Sequence, residues 1–292
     1  MDLELLDIPF GRPGFQGFLG AWLVRGTLTF LVDTGPSNSA GPLIKKLKAS
    51  GLNRVDYVLI THIHLDHAGG LSRVLEEFPG AGVVCHRKAV PHLVDPAGLW
   101  AGSRKVLGEM ADAFGPPAPV PKEVLIPHDE AGIPGLRIIE TRGHAPHHIS
   151  FSYQGCLFAG EAAGNYIGFG GRELLRPATP PRFYLEESLA SVDRMRDLED
   201  QLLCYAHFGK AENSRRMLGR FRDQLLRWRD ILASLLREHP DAGAELCLKT
   251  LLRDDPELES FSALDPAIRD RERFFMVNSI HGYLGYLKEA GI

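Results

Sequence analysis

The chain has 292 residues, 44% of them hydrophobic and 24% charged, with a formal net charge of −4. This excludes general disorder and leaves length for a large core with an appendage. No run of like charge marks a nucleic-acid tail, the first residues Met1-Asp2-Leu3-Glu4 are acidic where a secretory leader is basic, and no apolar run approaches membrane-spanning length, so the expectation is a cytoplasmic protein with neither nucleic acid nor membrane as partner.

In chain order the first clear element is a strand over residues 27–32. Leu28, Phe30 and Val32 alternate there with Thr27, Thr29 and Leu31, and the run ends in the turn Asp33-Thr34-Gly35. Residues 55–60 are more continuously apolar, as a strand covered on both faces would be. Directly after them stands Thr61-His62-Ile63-His64-Leu65-Asp66-His67-Ala68-Gly69-Gly70. From Asp66 the period changes: Leu71, Val74, Leu75 and Phe78 fall at helical spacing until Pro79-Gly80 stops them. Residues 83–85 read as a short strand, 96–114 as a helix, and Gly115-Pro116-Pro117-Ala118-Pro119 as a rigid loop. Strands follow over 136–140, 149–153 and 156–159, the last two joined by a Gln154-Gly155 turn.

Residues 162–185 combine glycines at 164, 168, 170 and 171 with prolines at 177, 180 and 181 and the aromatics Tyr166, Phe169, Phe183 and Tyr184. They read as a loop, either facing a substrate or simply an irregular connection, with Tyr166 the first choice for a substrate contact. A helix starts at Glu186 and a strand covers 202–206. Then Leu218, Phe221, Leu225, Trp228, Leu232 and Leu235 step by three and four in a long amphipathic helix ending before His239-Pro240. Its other face carries Arg215, Arg216, Arg220, Arg222, Arg227 and Arg229, either an anion-attracting rim or, more plainly, a solvated face balanced by acids. Two more helical segments, around 244–253 and 266–289, flank Asp254-Asp255-Pro256. The division expected is a domain over 1–236 and a helical extension over 237–292, which caps the site, forms a homodimer contact or only completes the fold.

The chemistry is concentrated in residues 61–70. His62 and His64 lie two apart in an extended segment and can point their rings to one side; Asp66 and His67 follow at the turn into a helix. Nitrogen and oxygen donors at this density suit zinc, iron or manganese rather than calcium or magnesium. The plain alternative is a solvated polar loop after a strand. The four cysteines, Cys85, Cys156, Cys204 and Cys247, lie far apart without a C-x-x-C pair and read as buried thiols in a reducing compartment. His86, His92, His128, His239 and His281 lack partners at ligand spacing and read as surface or packing residues. No Gly-x-Ser-x-Gly elbow is present and no cysteine stands beside the histidines, so a covalent intermediate is not indicated.

H-x-H-x-D-H after an apolar strand resembles the signature of the metallo-beta-lactamase superfamily of metal-dependent hydrolases, in its glyoxalase II-like branch, and the resemblance covers roughly residues 1 to 210. Asp33 resembles the family's early aspartate, which braces the metal-binding loop from behind. Gly143-His144-Ala145-Pro146-His147-His148 resembles the segment Gly-His-Thr-Pro-Gly-His, Gly160-Glu161 stands where the family has Gly-Asp, and His207 follows a strand as the family's last ligand does. The resemblance implies an α/β fold, a four-layer αββα sandwich. It implies His62, His64 and His144 around one metal, and Asp66, His67 and His207 around a second. Glu161 would bridge both, or bind one metal only and weaken occupancy of the other site. Metal-bound imidazoles need a partner on their other ring nitrogen, an orienting task for Asp33 and His148. His147 is either an added donor of that kind or a surface residue.

Two divalent ions, zinc first and iron or manganese as alternatives, would share a water, lower its pKa and make hydroxide available for attack on a carbonyl or phosphoryl centre, with Asp66 as the catalytic carboxylate that orients it. The leading expectation is a cytoplasmic hydrolase of a small-molecule ester, thioester or lactone. The alternatives are a phosphodiesterase, a mononuclear iron dioxygenase acting on a persulfide through His62, His144 and Glu161, and a non-catalytic metal-binding module.

Overall fold

The computed structural model describes residues 1–207 and 209–291. The chain divides into two compact units. The first comprises Met1–Gly11, Gln16–Glu140 and His147–Gln154; the second comprises Arg12–Phe15, Thr141–Pro146 and the chain from Gly155 onward.

In the first unit six strands form one sheet in sequence order: β1 (Asp2–Asp7), β2 (Gly20–Arg25), β3 (Thr29–Val32), β4 (Tyr57–Leu59), β5 (Gly82–Cys85) and β6 (Leu125–Pro127). β1 to β3 pair antiparallel, β3 to β6 parallel. Parallel neighbours need crossovers, and helices supply them. α1 (Ala40–Ala49) joins β3 to β4, and α2 (Leu65–Ala68) with α3 (Leu71–Glu77) joins β4 to β5. α4 (Val90–Val94), α5 (Ala97–Leu107) and α6 (Glu109–Phe114) lie between β5 and β6. Leu31, Val58, Leu59, Val83 and Val84 are all 0% exposed, so the middle strands are covered on both faces, as their unbroken apolar runs require. β7 (Arg137–Glu140) and β8 (Ile149–Tyr153) form an antiparallel pair, and Tyr153 meets Phe30 of β3 edge-on at 4.9 Å between ring centroids.

Several features depart from the sequence reading. β1 and β2 are absent from it; they pair in full register from Asp2↔Arg25 to Asp7↔Gly20, and β2 is buried along nearly its whole length, which erases the alternation that marks a strand. The short β6 is likewise an addition. The helix expected over 96–114 is two helices, broken at Gly108, whose φ of 54° no α-helix continues.

In the second unit β9 (Cys156–Gly160) is followed by a hairpin, β10 (Asn165–Phe169) and β11 (Arg172–Arg176), in place of the expected loop. The turn is Gly170-Gly171 with φ of 54° and 75°, the double positive φ that a two-residue hairpin turn demands. After α7 (Leu185–Arg196), β12 (Leu202–Tyr205) pairs parallel with β9 and antiparallel with β13 (Lys210–Ala211). Three helices complete the unit: α8 (Ser214–Glu238), α9 (Ala244–Asp254) and α10 (Pro266–Glu289).

α8 buries Leu218, Phe221, Leu225, Trp228, Leu232 and Leu235. Acids take up much of its arginine face: Arg220 pairs with Glu173 and Glu257, Arg222 with Asp193, Arg227 with Asp255 and Arg229 with Asp230. The buried Asp255 carboxylate accepts from Gln224, Arg227 and Trp228, at 2.7, 2.8 and 2.7 Å. α10 begins with Asp265 accepting from the Ala267 N–H and with Pro266 in its first turn.

α10 also carries Glu272, which is 0% exposed and held between two buried guanidinium groups, Arg176 of β11 and Arg271. Burial alone would raise the Glu272 carboxyl, but Arg176 and Arg271 outweigh it and hold it below the usual glutamate range. Its contribution to stability is therefore complete above the ordinary glutamate pKa and is lost as pH falls through the lowered folded value. Glu272→Gln leaves two buried cations without their counter-charge and is expected to cost about 3–5 kcal/mol at neutral pH. Urea unfolding of both proteins across the acid range checks this: the deficit should shrink as pH falls, and a deficit of constant size would show that charge is not its cause.

Candidate metal centre

In the first unit the site is built from Asp33. This residue ends β3 with φ of 59°, a conformation unfavourable to any side chain, and its N–H donates to the Leu59 carbonyl at 2.9 Å. The backbone bond ties the end of β3 to the end of β4 and turns the carboxylate onto the following loop. One oxygen accepts from the Thr61 N–H at 2.9 Å; the other accepts from the Thr61 hydroxyl at 2.8 Å and His67 Nδ1 at 3.0 Å.

These bonds fix ring tautomers. His67 carries its proton on Nδ1, toward Asp33, which leaves a lone pair on Nε2. The Thr61 hydroxyl, already donating to Asp33, accepts from His62 Nδ1 at 3.0 Å, so the His62 lone pair also falls on Nε2. That Nε2 lies 3.1 Å from His64 Nδ1, and His67 Nε2 lies 3.6 Å from an Asp66 oxygen. The His62 ring stands 4.6 Å from His64, 4.1 Å from His67 and 5.0 Å from His148. His148 is fully buried behind it, and His147 lies 6.1 Å from the His64 ring.

In the second unit two imidazoles gather around one carboxylate. Glu161 follows β9 at the turn made by Gly160, and His207 follows β12. Because β9 and β12 run parallel, both residues emerge at the same end. A register shift between Cys204 and Tyr205, with the Ala206 N–H bonded to the Gly160 carbonyl, re-aims the chain just before His207. His144 arrives from the segment of residues 141–146. Its neighbour Gly143 has φ of 127°, and a Cβ there would lie 2.2 Å from the Ser188 hydroxyl of α7, so only glycine permits the approach.

The two Glu161 oxygens face different rings, Oε2 at 2.8 Å from His144 Nε2 and Oε1 at 3.2 Å from His207 Nε2. Burial alone would raise this carboxyl, but the two imidazoles outweigh it and hold it well below the usual range. His144 Nδ1 donates to the Ala178 carbonyl at 2.6 Å, and Nε2 is the ring nitrogen turned to Glu161. A small cavity opens beside them, walled by Ala162, Ala178, Phe221 and Leu225 with Arg142, Thr179 and Ser188 as polar lining.

His67 in the first unit and His144 in the second thus each have the distal nitrogen occupied, by a carboxylate and a carbonyl, with a carboxylate oxygen beside the other nitrogen, and the distal nitrogen of His62 meets a hydroxyl. This is the arrangement a divalent transition metal requires of its ligands and of the groups behind them.

A third grouping, His86, His128 and Glu140 in the first unit, does not fit a metal. His86 Nδ1 accepts from the Lys88 N–H at 3.0 Å and His128 Nδ1 accepts from the Arg87 N–H at 3.2 Å, so both Nε2 atoms carry protons. The rings are stacked 4.5 Å apart at 16°, and nearly parallel lone pairs could not converge on one ion. His128 Nε2 donates to Glu140 at 3.1 Å: the group is a hydrogen-bonded clasp. His92, His239 and His281 are exposed. All four cysteines are buried free thiols, and burial pushes the Cys85 thiol up to about 12, far from nucleophilic use. Tyr166 stacks on Tyr205 at 5.2 Å and donates its hydroxyl to Glu173 at 3.1 Å, within the hairpin that carries both residues of that bond.

Residues 20–207, more than half of the chain, match the family described as the Metallo-beta-lactamase superfamily. The chain belongs to the metallo-beta-lactamase superfamily. A metallo-beta-lactamase fold-containing protein of Sulfurisphaera tokodaii is 30% identical over 215 residues, covering 70% of this chain and 78% of that one. A hydroxyacylglutathione hydrolase of Aeromonas salmonicida is 29% identical over 63% of this chain and 58% of that enzyme. The solved structure of a metallo-beta-lactamase family protein from Thermus thermophilus superposes with a TM-score of 0.65 at 24% identity, covering 99% of this chain and 94% of that one, a likeness of fold. The protein is a metallo-beta-lactamase-fold hydrolase of the α/β class with C-terminal helices, and it carries His, Asp and Glu clusters able to bind metal. Among the described residues no helix is long and apolar enough to cross a membrane.

Thr61 and the Ala178 carbonyl were not singled out in the sequence. Thr61 had a signal, since it opens the histidine run; a backbone carbonyl had none. The Asp33 network gives a direct prediction. Asp33→Asn places an amide where the carboxylate meets three donors, so at least one donor loses its acceptor. Unfolding of the metal-free protein should become easier by about 1–3 kcal/mol, and an unchanged unfolding midpoint would remove Asp33 as the brace of this loop.

Proposed function

We propose that this hydrolase uses a binuclear divalent-metal centre, zinc in the first instance, to cleave a small-molecule ester, thioester or lactone in the cytoplasm. In this reading His62, His64 and His144 hold one ion, Asp66, His67 and His207 hold the other, and Glu161 serves both. The observation that carries it is the disposition of Glu161, whose two oxygens face two different imidazoles at 2.8 and 3.2 Å. A carboxylate so placed offers one oxygen to each of two positions, which favours two ions over the single iron of a dioxygenase. The likeness to hydroxyacylglutathione hydrolases supports a thioester as the first substrate to try.

Divalent ions at such donors supply Lewis acidity and lower the pKa of water toward neutrality. The residues of the chain do the rest. Asp33, through Thr61 and His67, keeps the His62 and His67 lone pairs on Nε2. Ala178 does the same for His144. Asp66 aligns the attacking water and accepts its proton, while the apolar wall of Ala162, Phe221 and Leu225 keeps bulk water from the cavity beside Glu161.

Elemental analysis of protein purified without added metal tests the reading. Two zinc or manganese ions per chain, with turnover of acyl-glutathione thioesters, lactones or aryl esters, is the expected result; one iron per chain would favour the dioxygenase. Asp66→Asn keeps the volume but loses the proton acceptor, and turnover should fall by about 10²- to 10⁴-fold with the first ion retained. An active Asp66→Asn protein with both ions bound would overturn the assignment. Glu161→Asp shortens the shared arm and should change the affinity of the second ion, measured by chelator competition; unchanged affinity and rate would mean the added methylene does not tune the centre.

A further inference from the structure

We infer that α10 is a positioning element of the metal centre, acting through Ser279 on the segment whose Ala178 carbonyl sets the tautomer of His144. The inference rests on the reading of His144 as a metal ligand.

After β11 the chain passes through Pro177, Ala178 and Thr179 with no strand or helix of its own to fix it. Its polar groups are instead bonded to one buried residue of α10. The Ser279 hydroxyl accepts from the Thr179 N–H at 3.2 Å and donates to the Pro177 carbonyl at 3.1 Å, and the Thr179 hydroxyl donates to the Ser279 carbonyl at 2.9 Å. Arg176, itself held by Glu272 of α10, adds a bond to the Pro177 carbonyl at 3.3 Å. The residues on both sides of Ala178 are thereby fixed, and its carbonyl points to His144 Nδ1 at 2.6 Å.

The helix must come close to do this. A Cβ on Gly282 would lie 2.3 Å from the Pro180 carbonyl and 3.1 Å from the Thr179 hydroxyl, so α10 presents glycine one turn after Ser279. A ligand imidazole needs its distal N–H held so that ring rotation and the wrong tautomer are excluded, and loss of such a partner typically weakens metal binding by about 10- to 100-fold. Here the partner is a backbone carbonyl, which cannot be mutated away, but its holder can.

The test measures cobalt(II) and zinc(II) affinity of metal-stripped protein by competition with a chromophoric chelator, alongside thermal unfolding and the visible spectrum of the cobalt form. Ser279→Ala removes two of the three Ser279 bonds, and Thr179→Val removes the third without changing volume. Both should weaken the first ion by about 10- to 100-fold and shift the cobalt spectrum, and Thr179→Ser, which keeps the hydroxyl, should restore both. Tyr283→Phe is the control: it removes a hydrogen bond from α10 to the Leu225 carbonyl without touching the segment. It should lower stability and leave affinity and spectrum as in the wild type.

Wild-type affinity in Ser279→Ala would overturn the inference, as would an equal loss of affinity in Tyr283→Phe for the same loss of stability. A wild-type protein that binds no divalent ion would overturn it together with the proposed function. One that binds an ion, shows the contrast between Ser279→Ala and Tyr283→Phe, and hydrolyses nothing would uphold the inference and remove the hydrolytic reading.

Discussion

A metal ligand of the imidazole type works only if its proton is kept on the nitrogen away from the ion, and in the proposed reading the bonds behind His62, His67 and His144 meet that constraint. The neutral ring has two tautomers of similar energy, so the choice must be imposed by what the distal nitrogen meets. In the first unit a single carboxylate does this for two rings. Asp33 takes the His67 proton directly and orders His62 through the Thr61 hydroxyl. It can do so because its own backbone is held in the left-handed region by a bond to β4, so a locally unfavourable conformation is stabilised by strand pairing. In the second unit the same task for His144 falls to a backbone carbonyl, which is no better than the segment that carries it.

This difference explains what the sequence disclosed. The candidate donors and Asp33 are side-chain chemistry, and a run such as His62-Ile63-His64-Leu65-Asp66-His67 is dense enough to be singled out directly. The strands at 55–60 and 83–85 were legible because both faces are buried and the runs are nearly all apolar, Asp56 excepted. β2 shares that burial, but it is bounded by Gly20 and Arg25, and β1 is only half-buried. The hairpin of residues 165–176 had a signal, Gly170-Gly171 between two stretches of equal length. It was masked by the glycines and prolines around it, whose density reads as a loop. The Ala178 carbonyl had no signal at all: nothing in an alanine between a proline and a threonine says that its oxygen faces a histidine.

Glutamate at position 161 is a departure from the family's aspartate, and two backbone features stand beside it. Gly160 adopts φ of 59° at the end of β9, and β12 carries a register shift immediately before His207. Both features act on the donors around one carboxylate, the first by turning the Glu161 backbone and the second by re-aiming the histidine. A carboxylate on a longer arm keeps more rotamer freedom, yet here each oxygen has an imidazole nitrogen within 3.2 Å, so the freedom is removed by contacts on both sides.

The C-terminal helices are usefully considered with the hairpin rather than with the chain terminus. A two-stranded hairpin by itself is marginal in water, and β10–β11 is secured from outside its own pairing. Gln224 of α8 donates to the Leu175 carbonyl at 2.7 Å, Arg220 reaches Glu173 at 2.7 Å, and Glu272 of α10 holds Arg176. The last residue of the hairpin is thus gripped by the same helix that, seven residues on, binds the segment behind His144 through Ser279. Two turns of one rigid helix separate these grips, so the end of the hairpin and the carbonyl that orders His144 cannot shift independently. A helix that in sequence looks like a C-terminal addition is, by its hydrogen bonds, part of the scaffold of the segment behind His144.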